Sequence, residues 1–150
     1  MLSVKATCHQ GNLKYGGAGR QCTANSLAAM QFAKHKDPKD WNQTDLDTIL
    51  SSGDSVYCSI SLKNEANLRI SELPTDTFHV EKTFSGSIFR NVSEPPFATL
   101  HDSLVVLKKY CFVTIDCYTM AVIKLSKDIV CLMHIVETLR VYPAQMAQLY

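Results

Sequence analysis

The residues best suited to chemistry are a cysteine and a glutamine near the start of the chain. Cys22 follows the glycine-rich stretch 16–19 and precedes the apolar stretch 27–32. A thiol becomes a strong nucleophile only when it ionises, and a helix N-terminus favours the thiolate through partial positive charge and unpaired N–H groups. Gln10 carries an amide that could donate a hydrogen bond to the oxyanion formed when a thiolate attacks a carbonyl. The pair predicts acyl transfer by a cysteine nucleophile.

Each residue also has an ordinary interpretation. A free cysteine at the start of a helix is by default a small core residue, because cysteine is among the most buried residue types. A lone glutamine is more often a surface amide. The glycine-rich approach and the pairing of Gln10 with Cys22 favour an ancestral nucleophile instead.

The motifs, taken in order, resemble the herpesvirus large tegument protein deubiquitinase domain, and more closely its non-viral relatives in animals. The similarity rests on Gln10-Gly11 and on Gly19-Arg20-Gln21-Cys22 with Asn25, and weaker matches extend it over about residues 8 to 125. The resemblance implies a papain-like cysteine peptidase that cleaves after the C-terminal glycine of ubiquitin or a ubiquitin-like modifier, through a thioester. It gives Cys22 the role of nucleophile and Gln10 that of oxyanion donor.

Such catalysis needs a histidine as general base, oriented by a carboxylate. The resemblance points to His134 as this base, and in this chain Glu137 or Asp128 could be the nearby carboxylate. The four other histidines are less suitable. His9 lies too close to Gln10 in the sequence, and His35 lies at the far end of the predicted helix. His79 and His101 lie in segments without a family motif.

The chain departs from the family pattern around this histidine. The family has Asp-x-His-Ser-Arg and a later Gly-Thr-Ala, whereas here Leu132 occupies the aspartate position and no Ser-Arg follows His134. Residues 128–137 can be encoded by codons that, when translated from the third nucleotide, give the protein sequence YCMLDAHSR. Continuing this second reading frame through residues 138–150 permits the sequence NSEGLPSPNGTAV. We therefore predict that residues from about 128 onward are a frameshifted tail, whose apolar pattern favours a helix up to Pro143.

This departure leaves two alternatives to an active peptidase. The first is an inactive homologue or gene fragment, at most a ubiquitin-binding module. The second is a structural protein unrelated to peptidases, in which the matches at Gln10 and Cys22 are coincidental.

Composition predicts one domain over residues 1–150, because 150 residues with 46% hydrophobic content suffice to close a core. A net charge of +1 with mixed signs gives no basic stripe, so we expect no nucleic-acid partner. No apolar stretch approaches the ~20 residues of a membrane helix, and no signal peptide is apparent. We expect no membrane association and a cytoplasmic location.

The six cysteines are scattered through apolar stretches and form no Cys-x-x-Cys pair. This pattern indicates reduced thiols rather than a disulfide framework, and it favours neither a zinc site nor another metal site. We expect no cofactor.

Hydrophobic periodicity predicts the elements that position these residues. Thr44 is the predicted cap of the second helix, with Asp47 at its third position, and Gly53-Asp54 is a predicted turn. The predicted elements are an extended segment over 2–8, helices over 22–35, 44–50 and 97–109, strands over 55–62, 68–73, 78–84, 111–115 and 118–125, and a loop over 85–96. A nucleophile helix packed on a mostly antiparallel sheet is an α+β architecture, here that of a papain-like cysteine peptidase.

Overall fold

The computed structural model describes residues 3–60, 67–74, 109–115, 118–126, 128–132 and 139–143. Within these ranges the chain forms two α-helices, two short 3-10 helices and five strands. They are β1 (Ser3–Val4), α1 (Cys22–Phe32), a 3-10 helix (Pro38–Asp40), α2 (Gln43–Ile60), a second 3-10 helix (Ile70–Glu72), β2 (Tyr110–Ile115), β3 (Tyr118–Lys124), β4 (Asp128–Leu132) and β5 (Leu139–Pro143).

The five strands form one sheet in the order β1-β5-β4-β3-β2, and every neighbouring pair is antiparallel. In the β2-β3 hairpin Cys111 lies opposite Val122, which confirms the hairpin predicted from the sequence. Helices packed on an antiparallel sheet make the fold α+β, as predicted.

Helix α1 is the central element, because it packs against both α2 and β3. Its residues Cys22–Met30 are all buried. A helix that is covered on all sides needs no polar face, which explains why the run has small and apolar residues around its whole circumference. The predicted helix is confirmed, although it ends at Phe32 rather than at residue 35.

Helix α2 is longer than the sequence pattern predicts. It continues to Ile60, and its buried positions 46, 49, 50, 53 and 57 have helical spacing. The predicted turn at Gly53-Asp54 and the predicted strand over 55–62 are therefore wrong. Gly53 lies where α2 crosses α1, and a Cβ there would lie 2.7 Å from Asn25 Cα. The glycine allows close packing of two helices and does not end one.

The cap of α2 also differs from the prediction. The Asn42 N–H donates to Asp45 Oδ2 at 2.7 Å, and the Asp45 N–H donates to Asn42 Oδ1 at 3.2 Å. This reciprocal pair satisfies two N–H groups of the first turn. The predicted cap by Thr44, with Asp47 at the third position, is wrong; the Asp47 carboxylate instead accepts from the Thr7 N–H at 2.8 Å.

The segment 68–73 is not the predicted strand. Its centre is the 3-10 helix Ile70–Glu72, which the Arg69 N–H stabilises by donating to Glu72 Oε2 at 2.6 Å. Leu68 and Leu73 are buried at its two ends. Among the described residues 3–8 of the predicted extended segment, Ser3–Val4 form a strand.

The described residues after 127, which are 128–132 and 139–143, form strands and not a helix. β4 pairs with β3, and β5 pairs with both β4 and β1, so the helix predicted up to Pro143 is wrong. β-branched residues such as Ile129, Val130 and Val141 favour strands; β3 offers backbone partners to β4, and β4 offers them to β5. The predicted strand over 78–84, the loop over 85–96 and the helix over 97–108 lie outside the described residues.

The main core cluster lies between the helices and the sheet. It contains residues of α1, α2 and β3 together with Tyr15 and Trp41, which lie outside these elements: Tyr15, Ala28, Ala29, Met30, Trp41, Leu46, Ile49, Leu50, Ala121 and Ile123. In the part of the chain that the structure describes, neither helix is long and apolar enough to cross a membrane.

Candidate active site

Cys22 is the first residue of α1. Gln21 precedes it as the N-cap with φ −98° and ψ 15°, and it makes no side-chain capping bond. The first turn therefore directs N–H groups and positive partial charge toward the thiol. Cys22 is only 2% exposed. The reason is that α1 is buried along its whole first two turns.

Gln10 lies against this helix start and is 1% exposed, so the surface-amide interpretation is wrong. Its backbone carbonyl accepts from the Gly19 N–H at 3.2 Å and from Gln21 Nε2 at 3.4 Å. Its side-chain Oε1 accepts from Asn25 Nδ2 at 3.0 Å. Three hydrogen bonds thus hold Gln10 to the loop before α1 and to the first turn of the helix. The structure brings Gln10 and the start of α1 together.

The glycine-rich loop between them is fixed from α2. The Asp54 carboxylate accepts from the Gly16 N–H at 3.1 Å and from the Gly17 N–H at 2.8 Å. A Cβ at Gly17 would lie 2.3 Å from Tyr57 Cδ1, so only glycine fits there, and Gly19 has a φ of +77° that favours glycine. The glycines predicted to open an approach to Cys22 also let the loop pack against α2.

A buried polar network joins the first turn of α1 to β3. Thr23 Oγ1 donates to the Leu68 carbonyl at 2.8 Å and lies 3.2 Å from Thr119 Oγ1. Ser26 Oγ lies 2.9 Å from the Cys22 carbonyl and 3.2 Å from the Thr119 carbonyl, which both can accept from it. These contacts fix the end of β3 that begins at Tyr118 beside the helix start.

The predicted base, His134, lies outside the described residues, as do His79 and His101. His9 is exposed, and its Nδ1 accepts from the Gly11 N–H at 2.8 Å, which gives it a role in the turn. His35 follows the far end of α1. Glu137 lies outside the described residues, and for Asp128 the structure describes the backbone in β4.

The other described thiols have different environments. A hydrogen bond from Lys14, with another from Tyr15, lowers the pKa of the partly exposed Cys8 thiol. Burial raises the pKa of Cys111, and burial together with the Asp54 charge raises that of Cys58. Cys8, Cys22, Cys58 and Cys111 are all outside disulfide bonds. Among the described residues, no three His, Cys, Asp or Glu side chains are grouped to hold a metal ion.

Sequence reasoning missed two residues that shape the site. Asn25 entered only as a part of the motif, although its position three residues after Cys22 places it one helical turn from the thiol. Asp54 was assigned to a turn, and its contact with the glycine loop has no local signal because the partners are 37 and 38 residues apart.

The site and the fold together define the class of this protein. Residues 5–133 match the family model described as the N-terminal conserved region of the herpesvirus tegument protein, and the chain belongs to that family. No curated protein matches the chain by sequence.

The solved structures include one with the same fold. It is the ubiquitin-specific protease encoded by a murine cytomegalovirus tegument protein, in complex with a ubiquitin-based suicide substrate. The two share a TM-score of 0.74 at 21% sequence identity, and the match covers 95% of this chain and 74% of that chain. The chain therefore has the α+β fold of a herpesvirus tegument deubiquitinase, as predicted.

Proposed function

We propose that the chain is a cysteine peptidase that cleaves after the C-terminal glycine of ubiquitin or a ubiquitin-like modifier. The observation that carries this proposal is the buried Gln10, which hydrogen bonds hold against the helix that Cys22 opens. Membership of the tegument family and a fold like that of a viral ubiquitin-specific protease support it. The free thiols suit a reducing intracellular compartment, and we place its action in the cytoplasm.

In this mechanism the Cys22 thiolate attacks the carbonyl carbon of the terminal glycine. The developing oxyanion accepts a hydrogen bond from the Gln10 amide, and the amine leaves with a proton from His134. Water then attacks the resulting thioester, gives a proton to His134, and releases the modifier with a free carboxylate. The terminal glycines of ubiquitin suit a thiol that is almost fully buried, because glycine can enter where larger side chains cannot.

The direction of β4 supports His134 as the base. Leu132, the last residue of β4, lies opposite Ala121 of β3. Ala121 is two residues from Thr119, which contacts the first turn of α1. The chain thus runs toward the Cys22 end of the sheet two residues before His134.

An inactive homologue, at most a ubiquitin-binding module, is the second candidate. The observation that favours it is the sequence itself, because Leu132 stands where the family has an aspartate and no Ser-Arg follows His134. A histidine without an orienting carboxylate would be a poor base. The predicted frameshift from about residue 128 would account for that loss.

Covalent labelling by ubiquitin with a C-terminal electrophile tests the proposal. We expect mass spectrometry to find the adduct on Cys22, with labelling abolished in Cys22→Ser and strongly slowed in His134→Ala. Cys8→Ser is the matched control, because the pKa of the Cys8 thiol is lowered while Cys8 has no role in the proposed mechanism, and this variant should label at the wild-type rate.

Absence of labelling would contradict the proposal. Binding of unmodified ubiquitin without labelling would then favour the module. Labelling by a chain whose residues from 128 onward are restored to the other reading frame would show a peptidase inactivated by a frameshift.

A further inference from the structure

We propose that Asn25 is a positioning residue that fixes which end of the Gln10 amide faces the reacting carbonyl, an inference that rests on the proposed function. The amide of Gln10 has a hydrogen-bond acceptor at one end and donors at the other. Only the donor end can stabilise an oxyanion. Something must therefore hold the amide in one of its two orientations.

The contact with Asn25 provides that restraint. Asn25 Nδ2 donates to Gln10 Oε1 at 3.0 Å, and both side chains are 1% exposed. Because Oε1 is held on the helix side, the NH₂ end of Gln10 is directed to the opposite side of its amide plane. If the Gln10 amide were rotated by 180°, its NH₂ group would face the NH₂ group of Asn25, and this hydrogen bond would be lost.

Gly53 in turn selects the orientation of Asn25. A Cβ at position 53 would lie 1.9 Å from Asn25 Oδ1, so in glycine only a hydrogen is directed at that oxygen. An oxygen accepts such a C–H group weakly, whereas an NH₂ group in the same place would put hydrogens against hydrogen. Gly53 therefore keeps Oδ1 on the α2 side and Nδ2 on the Gln10 side.

The unpartnered oxygen of Asn25 lowers stability, which indicates a purpose beyond packing. Asn25 Oδ1 is buried and has no hydrogen-bond partner among the described residues. A buried acceptor without a partner is unfavourable in a folded protein. A small apolar residue at position 25 would avoid the unpartnered oxygen, but it would remove this restraint on the Gln10 amide.

Substitution of Asn25 tests the inference through the turnover of ubiquitin with a C-terminal fluorogenic amide. Asn25→Asp retains the shape but presents acceptors on both sides, so Gln10 should turn to donate to it and direct Oε1 at the substrate. Loss of one oxyanion donor lowers kcat by roughly 10²–10³-fold, and we expect that drop with KM unchanged. Asn25→Leu, which only removes the restraint, should give a smaller drop.

A double substitution separates positioning from a structural role. If Asn25 acts through Gln10, then adding Gln10→Ala to Asn25→Asp should lower kcat no further. The inference would be overturned if the kcat losses of the two single variants multiplied in the double variant. A folded Asn25→Asp variant with wild-type kcat would overturn it as well. Thermal unfolding of each variant identifies any that fail to fold, and Asn25→Leu then replaces Asn25→Asp in the cycle.

A spectroscopic measurement keeps the inference separate from the proposed function. In the wild-type protein, scalar coupling across the hydrogen bond should connect Asn25 Nδ2 with Gln10 Cδ. Coupling between Gln10 Nε2 and Asn25 Cγ would show the reversed arrangement and refute the inference. A wild-type chain that does not turn over ubiquitin would instead refute the proposed function, whichever coupling is seen.

Discussion

Replacement of Gly53 by alanine tests the packing of the two helices most directly. In an exposed helix interior the change would stabilise the protein by ~0.5–1 kcal/mol, because glycine has more conformational freedom to lose. Here the new Cβ would lie 1.9 Å from Asn25 Oδ1 and 2.7 Å from Asn25 Cα. Rotation of a side chain relieves only the first overlap, since the second involves backbone. The helices must therefore move apart.

The expected magnitude follows from these opposing effects. Overpacking of a close interior contact costs about 1–3 kcal/mol, and the propensity gain offsets about a third of that range. We expect a net loss of about 1–2 kcal/mol, which in a domain of this size lowers Tm by roughly 2–8 °C.

Thermal unfolding followed by circular dichroism measures the effect. Ser52→Ala is the matched control, because Ser52 is the neighbouring, exposed residue of α2 and alanine there should raise Tm slightly. A Tm for Gly53→Ala that rises as much as that of Ser52→Ala would refute the close approach of the helices, and with it the selection of the Asn25 orientation.

Three further outcomes are expected. Asp54→Ala removes the acceptor of two glycine N–H groups, so it should lower stability by about 1–2 kcal/mol and slow labelling by the ubiquitin probe. Asp54→Asn keeps one acceptor, so its losses of stability and of labelling rate should both be smaller. Equal losses in the two variants would contradict the two-bond geometry. Burial raises the pKa of Asp45, but the hydrogen bonds from Lys36 and from the Asn42 N–H together with the Lys36 charge outweigh it, so this pKa lies below its ordinary 3.8. Urea unfolding should show stability present above pH 3.8 and lost below it, and Asp45→Asn should remove that dependence. The pKa of Cys8 is lowered and that of Cys111 is raised, so iodoacetamide at pH 7 should alkylate Cys8 before Cys111. Peptide mass spectrometry measures the two alkylation rates.

The pairing of Gln10 with the Cys22 helix could be predicted from the sequence because it depends on residue types, and the structure brings Gln10 to the start of the helix that Cys22 opens. The chemical roles of the two residues stay a prediction. The restraint on Gln10 could not be predicted. This restraint depends on Gly53, and the sequence around Gly53 does not indicate that it contacts a side chain of another helix.

The errors in secondary structure have the same origin. Alternation of Val56, Cys58 and Ile60 predicted a strand face, but Tyr57 is the buried residue and Cys58 is exposed, as helical spacing requires. At β4 and β5 the backbone of a neighbouring strand decides the outcome, and a single-segment pattern contains no information about that neighbour.

The order of strands in the sheet constrains when the protein can complete its fold during synthesis. β1 is first in the chain, yet it pairs with β5, the last described strand, through Ser3 with Arg140 and Val4 with Leu139. A ribosome releases both helices well before that partner emerges. The two residues of β1 therefore lack this partner until residues 139 and 140 have been synthesised, and this long-range closure should be among the slowest steps of folding.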